Sequence, residues 1–167
     1  MKVIGIAFSD LHLGEYSKFN EDNKRTLNHI RVLYLIKDLC IKYKCPAFFC
    51  GDFMHRPEFI STSLDEIIIE QFEELNRYEE FNIYGISGNH CMPKANTIEH
   101  RSPSHWANLC RRYSFLHNID FSYHDFGKFR VVGIPYIDHN NGLDGLIKSE
   151  LKGAMLKPTI LLLHTDY

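Results

Sequence analysis

The chain has 167 residues, 44% of them hydrophobic and 24% charged, the composition of an ordinary globular protein and the length of one domain spanning 1–167. A domain of that size buries about two thirds of the surface its unfolded chain exposes. Net charge is -2 and the pI near 6.5, which excludes an overall basic field; a polyanionic substrate would need local positive charge, and bound metal ions can supply it.

The five cysteines are odd in number and contain no C-x-x-C pair. Cys40, Cys45 and Cys50 read as small buried apolar residues of a reduced, cytoplasmic protein, and no disulfide or cysteine–zinc site is expected. The apolar run Val3 to Phe8 is too short for a signal-peptide core. No window approaches the run of about 20 apolar residues that a membrane helix needs.

Lys2 to Ser9 is dense in apolar residues and reads as a strand covered on both faces. A loop from Asp10 to Asn23 follows. From Asp22 to about Lys44, Leu27, Ile30, Leu33, Tyr34, Leu39, Cys40 and Ile41 recur near helical spacing, and Pro46 bars continuation. Ala47 to Cys50 is a second short strand. Ser61 to Tyr78 is a second helix, with Ser63-x-x-Glu66 as its capping box and Leu64, Ile67, Ile68, Phe72, Leu75 and Tyr78 as its buried stripe.

Asn82 to Ile86 is the third strand. A polar loop, Cys91 to Pro103, leads to a short helix over Ser104 to Arg112. Phe115 to His117 is a short strand. Ile119 to Asp125 and Phe129 to Pro135 read as a hairpin turning at Gly127-Lys128. Asn141 to Leu156 is a weak helical segment, and Thr159 to Leu163 a last buried strand. Alternating strands and helices predict an α/β fold, parallel in its first half with a later antiparallel hairpin.

The chemistry lies at strand ends. Asp10-x-His12 follows the first strand, and Gly51-Asp52-x-x-His55 the second. Gly88-Asn89-His90 follows the third, and His164 the last. Taken singly, each has a plain structural reading: a loop carboxylate near a surface histidine, a turn asparagine, a core histidine. Together they sit where parallel strands deliver residues to one crevice. Carboxylate, imidazole and amide oxygen suit manganese, iron or zinc.

D-x-H, then G-D-x-x-H, then G-N-H, then a strand ending in His, resembles the calcineurin-like metallophosphoesterases. Gly51-Asp52-Phe53-Met54-His55-Arg56-Pro57 is most similar to the SbcD-type DNA double-strand-break repair nucleases, and Gly133-Ile134-Pro135-Tyr136 resembles their G-x-P-Y segment. The resemblance implies an αββα sandwich and two divalent ions, most readily Mn2+, with Fe2+ or Zn2+ as alternatives. It implies Asp10 and His12 on the first ion, Asp52 bridging both, and Asn89 and His164 on the second. His90 would protonate the leaving oxygen or position the phosphate, and His55 would contact the phosphate or assist proton transfer. Two such ions, about 3.5–4 Å apart, activate water for in-line attack on phosphorus.

Arg56 beside His55, and Lys94, His100 and Arg101 in the loop after His90, are candidate phosphate contacts. The implied partners are DNA and an SbcC-like ATPase of the SMC type, with a homodimer possible and no membrane. The alternatives are another calcineurin-like phosphoesterase, acting on cyclic nucleotides, nucleotides or phosphoprotein, and a degenerate, non-catalytic module.

Two features depart from the pattern. Cys91 stands where an acidic residue usually follows G-N-H, which leaves Glu99 or Asp125 as candidate substitutes, a reduced acid role for His90, or a reactive thiol. The G-H-x-H motif that completes both metal positions does not occur in these 167 residues. The sandwich is therefore expected to be incomplete at its C-terminus, with weakened metal affinity, low activity and an exposed apolar edge.

Overall fold

A computed structural model describes residues 2–14, 24–55, 61–91, 104–137, 143–151 and 157–165. Its elements are β1 (Ile6–Phe8), α1 (Lys24–Tyr43), β2 (Ala47–Phe49), α2 (Thr62–Leu75), β3 (Ile83–Gly85), α3 (His105–Arg112), β4 (Leu116–Asn118), β5 (Ser122–Asp125), β6 (Arg130–Ile134), α4 (Leu143–Leu151) and β7 (Thr159–Leu163). The fold is mixed α/β, with two sheets among the described residues. The first is wholly parallel, in the order β1-β2-β3-β4; the second has the order β5-β6-β7, antiparallel in its first pair and parallel in its second.

Period-2 alternation divides the first sheet between two cores. Ala47, Phe49, Ile83 and Leu116 point to one face, where they pack with Ile30 and Leu33 of α1, Leu64, Ile68 and Phe72 of α2, and Trp106 of α3. Phe48 points to the other, where it packs with Ile86, Ile119, Val131 of β6 and Leu162 of β7, so the two sheets meet through this second core. Trp106 is fully buried, donates its indole N–H to Gly85 O at 3.0 Å, and lies against Phe49 and Phe53. α4 runs alongside β6.

Several local expectations are corrected. The first strand is not covered on both faces: β1 is an edge strand and Ala7 is exposed. β7 also lies at an edge, and of its residues only Leu162 is fully buried. The buried stripe of α1 runs through Thr26, Ile30, Leu33, Ile36, Lys37 and Cys40, while Leu27 is exposed. α2 ends at Leu75 rather than Tyr78. The hairpin forms as expected around Gly127, whose φ of 80° is the left-handed conformation the turn needs.

No capping box forms at Ser63. Ser61, extended at φ -67° and ψ 153°, is the N-cap, and its hydroxyl accepts from the Leu64 amide at 3.4 Å. Ser63 already lies inside the first turn and cannot reach back to a free amide. Ser61→Ala should therefore cost about 1 kcal/mol in urea denaturation and Ser63→Ala almost nothing.

Two half-buried histidines lose stabilisation in acid. Burial lowers the pKa of His105, with Asp65 partly opposing, and its Nδ1 is buried without a hydrogen-bond partner among the described residues. His117 is lowered by burial and by the charge of His124, and its Nε2 pairs with Asn82 Oδ1 at 2.8 Å. The unfolded chain takes up protons below about pH 6.5 that these sites refuse. Their contribution is thus present at neutral pH and lost as pH falls through the unfolded value. The change in denaturation midpoint between pH 7.5 and 5.5 should therefore be less unfavourable in His117→Gln than in the wild type.

Candidate metal centre

Two loops at the carboxyl ends of β1 and β2 run side by side as an extension of the sheet. Cys50 N donates to Phe8 O, Asp10 N to Gly51 O, His12 N to Asp52 O, Leu13 N to Phe53 O and His55 N to Leu13 O, all between 2.8 and 3.0 Å. This ladder places Asp10, His12, Asp52 and His55 together by main-chain bonds alone. Asp10, His12 and Asp52 adopt φ of 54°, 47° and 61°, left-handed values that cost a non-glycine residue about 1–2 kcal/mol each. Such strain persists where the surroundings fix it, commonly at ligand clamps.

Ligand atoms of Asp10, His12 and Asp52 lie within 4.8 Å of one another, and this group could hold a metal ion. His12 Nε2 is 3.5 Å from Asp10 Oδ1 and 3.9 Å from Asp52 Oδ2. Asp10, His12, Asp52, Asn89, His90 and His164 all line one open crevice of about 440 Å³. The four strand ends singled out in the sequence therefore do converge.

His164 approaches the same Asp52 oxygen as His12. Its Nδ1 donates to Cys50 O at 2.8 Å, while Nε2 faces Asn89 Oδ1 at 3.1 Å and Asp52 Oδ2 at 3.5 Å. Both ring nitrogens face acceptors, and the pKa of the ring is raised first by the bond to Asp52, against the opposing pull of burial. Asp52 is nearly inaccessible. Burial pushes its carboxyl up, but His164 and the His90 amide, which donates to Oδ1 at 3.0 Å, hold it below the usual range. Nε2, facing two oxygens, points to the place a divalent cation would take. With Nδ1 anchored on a carbonyl, Nε2 is the nitrogen left for a metal.

The space is closed by glycines. A Cβ on Gly88 would collide with the Asp52 carboxylate, and one on Gly51 would come within 2.5 Å of His164 Nδ1. Gly51 also has a φ of 107°.

His90 and His55 flank His12. Ring centroids of His12 and His90 are 5.0 Å apart, those of His12 and His55 5.7 Å, and the His55 and His90 rings stack at 5.6 Å. His90 Nδ1 donates to His55 O at 3.0 Å. A backbone carbonyl thus orients the ring. Asp125 is ruled out as an acidic partner of His90, since it lies on the hairpin paired with Lys157 at 2.8 Å. Cys91 is 1% exposed and burial raises its pKa, so the reactive-thiol reading fails.

A brace beneath the third loop was missed. Asp120 accepts from Ser87 N at 2.8 Å and Ser87 Oγ at 2.6 Å, and Ser87 Oγ meets Ser104 Oγ at 2.6 Å. It fixes the start of Gly88-Asn89-His90, and no motif spacing announced it. Tyr136 reaches the same loop, its amide donating to Ser87 O at 2.9 Å and its ring 6.2 Å from that of His164.

Arg56, Lys94, Glu99, His100 and Arg101 lie outside the described residues. Among the described residues no helix is long and apolar enough to cross a membrane. No family model matches this chain, and no curated protein matches it.

Proposed function

We propose that this chain carries a two-metal phosphodiesterase centre of the calcineurin-like type, that its substrate is DNA as for SbcD-type nucleases, and that the two sheets and their helices belong to an αββα sandwich. The observation that carries the reading is the convergence of His12 and His164 on Asp52 Oδ2, with Asn89 Oδ1 against the same His164 nitrogen. Asp10 and His12 would hold one ion, Asn89 and His164 a second, and Asp52 both. Manganese fits this mixed oxygen and imidazole set best, ahead of iron or zinc. Bound ions would supply Lewis-acid charge and an activated water for attack on phosphorus.

The chain's own residues do the rest. His90 keeps one proton on Nδ1 against His55 O. Its Nε2 is then the atom that can take a second proton and give it to the leaving alkoxide, a poor leaving group that needs one. His55, beside it, would contact a phosphate oxygen, with Arg56 and Arg101 as further phosphate contacts. The buried Asp52 keeps its charge at neutral pH because of its hydrogen bonds, and so favours cations in the crevice over water alone.

The test is Mn2+-dependent hydrolysis of linear duplex DNA and of a small aryl phosphodiester by the same preparation. Slow cleavage of both, abolished by a chelator, is expected. Cleavage of the aryl diester with DNA untouched would move the assignment to another calcineurin-like phosphoesterase. Stoichiometric Mn2+ binding without any turnover would support the non-catalytic alternative.

A further inference from the structure

His12, His55 and His90 each offer a nitrogen, and these three atoms all lie within 4.8 Å of one another. All three residues are partly exposed, and His12 and His90 line the crevice. A tetrahedral zinc ion with Zn–N bonds of about 2.0–2.1 Å holds its nitrogens about 3.4 Å apart. Side-chain rotations of small amplitude would therefore close the three rings on one ion, leaving a fourth position to water.

The second shell is already arranged for this. His90 Nδ1 is committed to His55 O, which turns Nε2 outward as the donor atom. His12 Nδ1 is buried, so Nε2 is the nitrogen that His12 presents to the crevice. That same Nε2 is the atom facing Asp10 and Asp52. One nitrogen therefore serves two alternative ligand sets, one carrying two carboxylates and the other made of imidazoles alone.

We propose that His12, His55 and His90 form a tris-imidazole site for a borderline-soft divalent ion, of the class of Zn2+, Ni2+ or Cu2+, and that occupancy of this site excludes an ion from the Asp10–His12–Asp52 set. Imidazole-only sites favour these metals, and affinity for them exceeds that for Mn2+ along the divalent series. The carboxylate set suits a harder ion. Withdrawal of His12 into the tris-imidazole site strips the harder ion of a ligand and occupies the two histidines that would meet the phosphate. The proposal of the site itself stands on the three rings alone; its exclusion of manganese rests on the metal reading given above.

Calorimetric titration of the whole chain with Zn2+, and electron paramagnetic resonance with one equivalent of Cu2+, test the site. Expected are one Zn2+ bound and nitrogen hyperfine structure from three imidazoles. His55→Ala and His90→Ala should each weaken Zn2+ by more than the 10–100-fold typical of outer-shell changes, and Asp52→Asn should leave Zn2+ affinity within about 3-fold. Thermal unfolding establishes that each variant is folded, and His55→Gln replaces His55→Ala if it is not. Unchanged zinc affinity in both histidine variants, or its loss in Asp52→Asn, would overturn the site. In the second arm, Zn2+ should release Mn2+ from the wild type but far less from His90→Ala; simultaneous binding of both would overturn the exclusion. Failure of the wild type to bind Mn2+ at all would count against the phosphodiesterase reading while leaving the zinc result intact.

Discussion

Asp52→Asn should lower Mn2+ affinity by at least about 100-fold and reduce metal-dependent phosphodiester hydrolysis by about 10²–10³-fold, the scale of losing one charged group that acts on the transition state. The substitution is nearly isosteric. An amide oxygen can still accept from the His90 backbone, as Oδ1 does at 3.0 Å. The other carboxylate oxygen becomes an NH2 group facing His164 Nε2, a donor against a donor. His164, whose raised pKa depends first on its bond to Asp52, should then lose that stabilisation of its charged form. Isothermal titration with Mn2+ reads the affinity, and hydrolysis of an aryl phosphodiester reads the rate. An affinity within 3-fold of wild type would remove Asp52 from the metal centre.

Gly51→Ala should destabilise the fold by about 2–6 kcal/mol and abolish metal binding along with it. Two costs add. A Cβ at a φ of 107° is strained by about 1–3 kcal/mol. The same Cβ would sit 2.5 Å from His164 Nδ1 and 3.0 Å from Gly88 Cα, an overpacking worth about another 1–3 kcal/mol. Gly127→Ala separates the two, because Gly127 has a φ of 80° and a Cβ there would meet nothing within 4 Å. It should show strain alone, about 1–2 kcal/mol. Equal losses in chemical denaturation of the two variants would mean that crowding around His164 contributes nothing.

The strand ends were legible because each is a short apolar run that stops at, or just before, residues of one chemical type. Ala47 to Phe49 followed by Gly51 and Asp52, and Ile83 to Gly85 followed by Asn89 and His90, are readable in one dimension. The partners that fix those side chains are not. His164 anchors on Cys50 O, 114 residues away in sequence, and His90 on His55 O, 35 residues away. Backbone carbonyls carry no residue-type signal, so no reading of side chains finds them. Left-handed φ at Asp10, His12 and Asp52 was equally hidden, since it comes from the two loops pairing with each other rather than from local preference. At the edges, β1 and β7 read as buried because they are apolar, but strand order alone decides which apolar strands have a neighbour on each side.

That pairing of the two loops has a consequence in time as well as in space. Asp10, His12, Leu13 and His55 lie beyond the ends of β1 and β2, yet each of their amides is held by a partner across the ladder. Amides in connecting segments ordinarily exchange with solvent through small local fluctuations, whereas these can exchange only when the ladder opens. In deuterated solvent they should keep their hydrogens nearly as long as the strand amides behind them, in protein free of any ion. The spacing of the acidic and imidazole groups would then be a property of the resting chain, and an arriving cation would meet a mould already set.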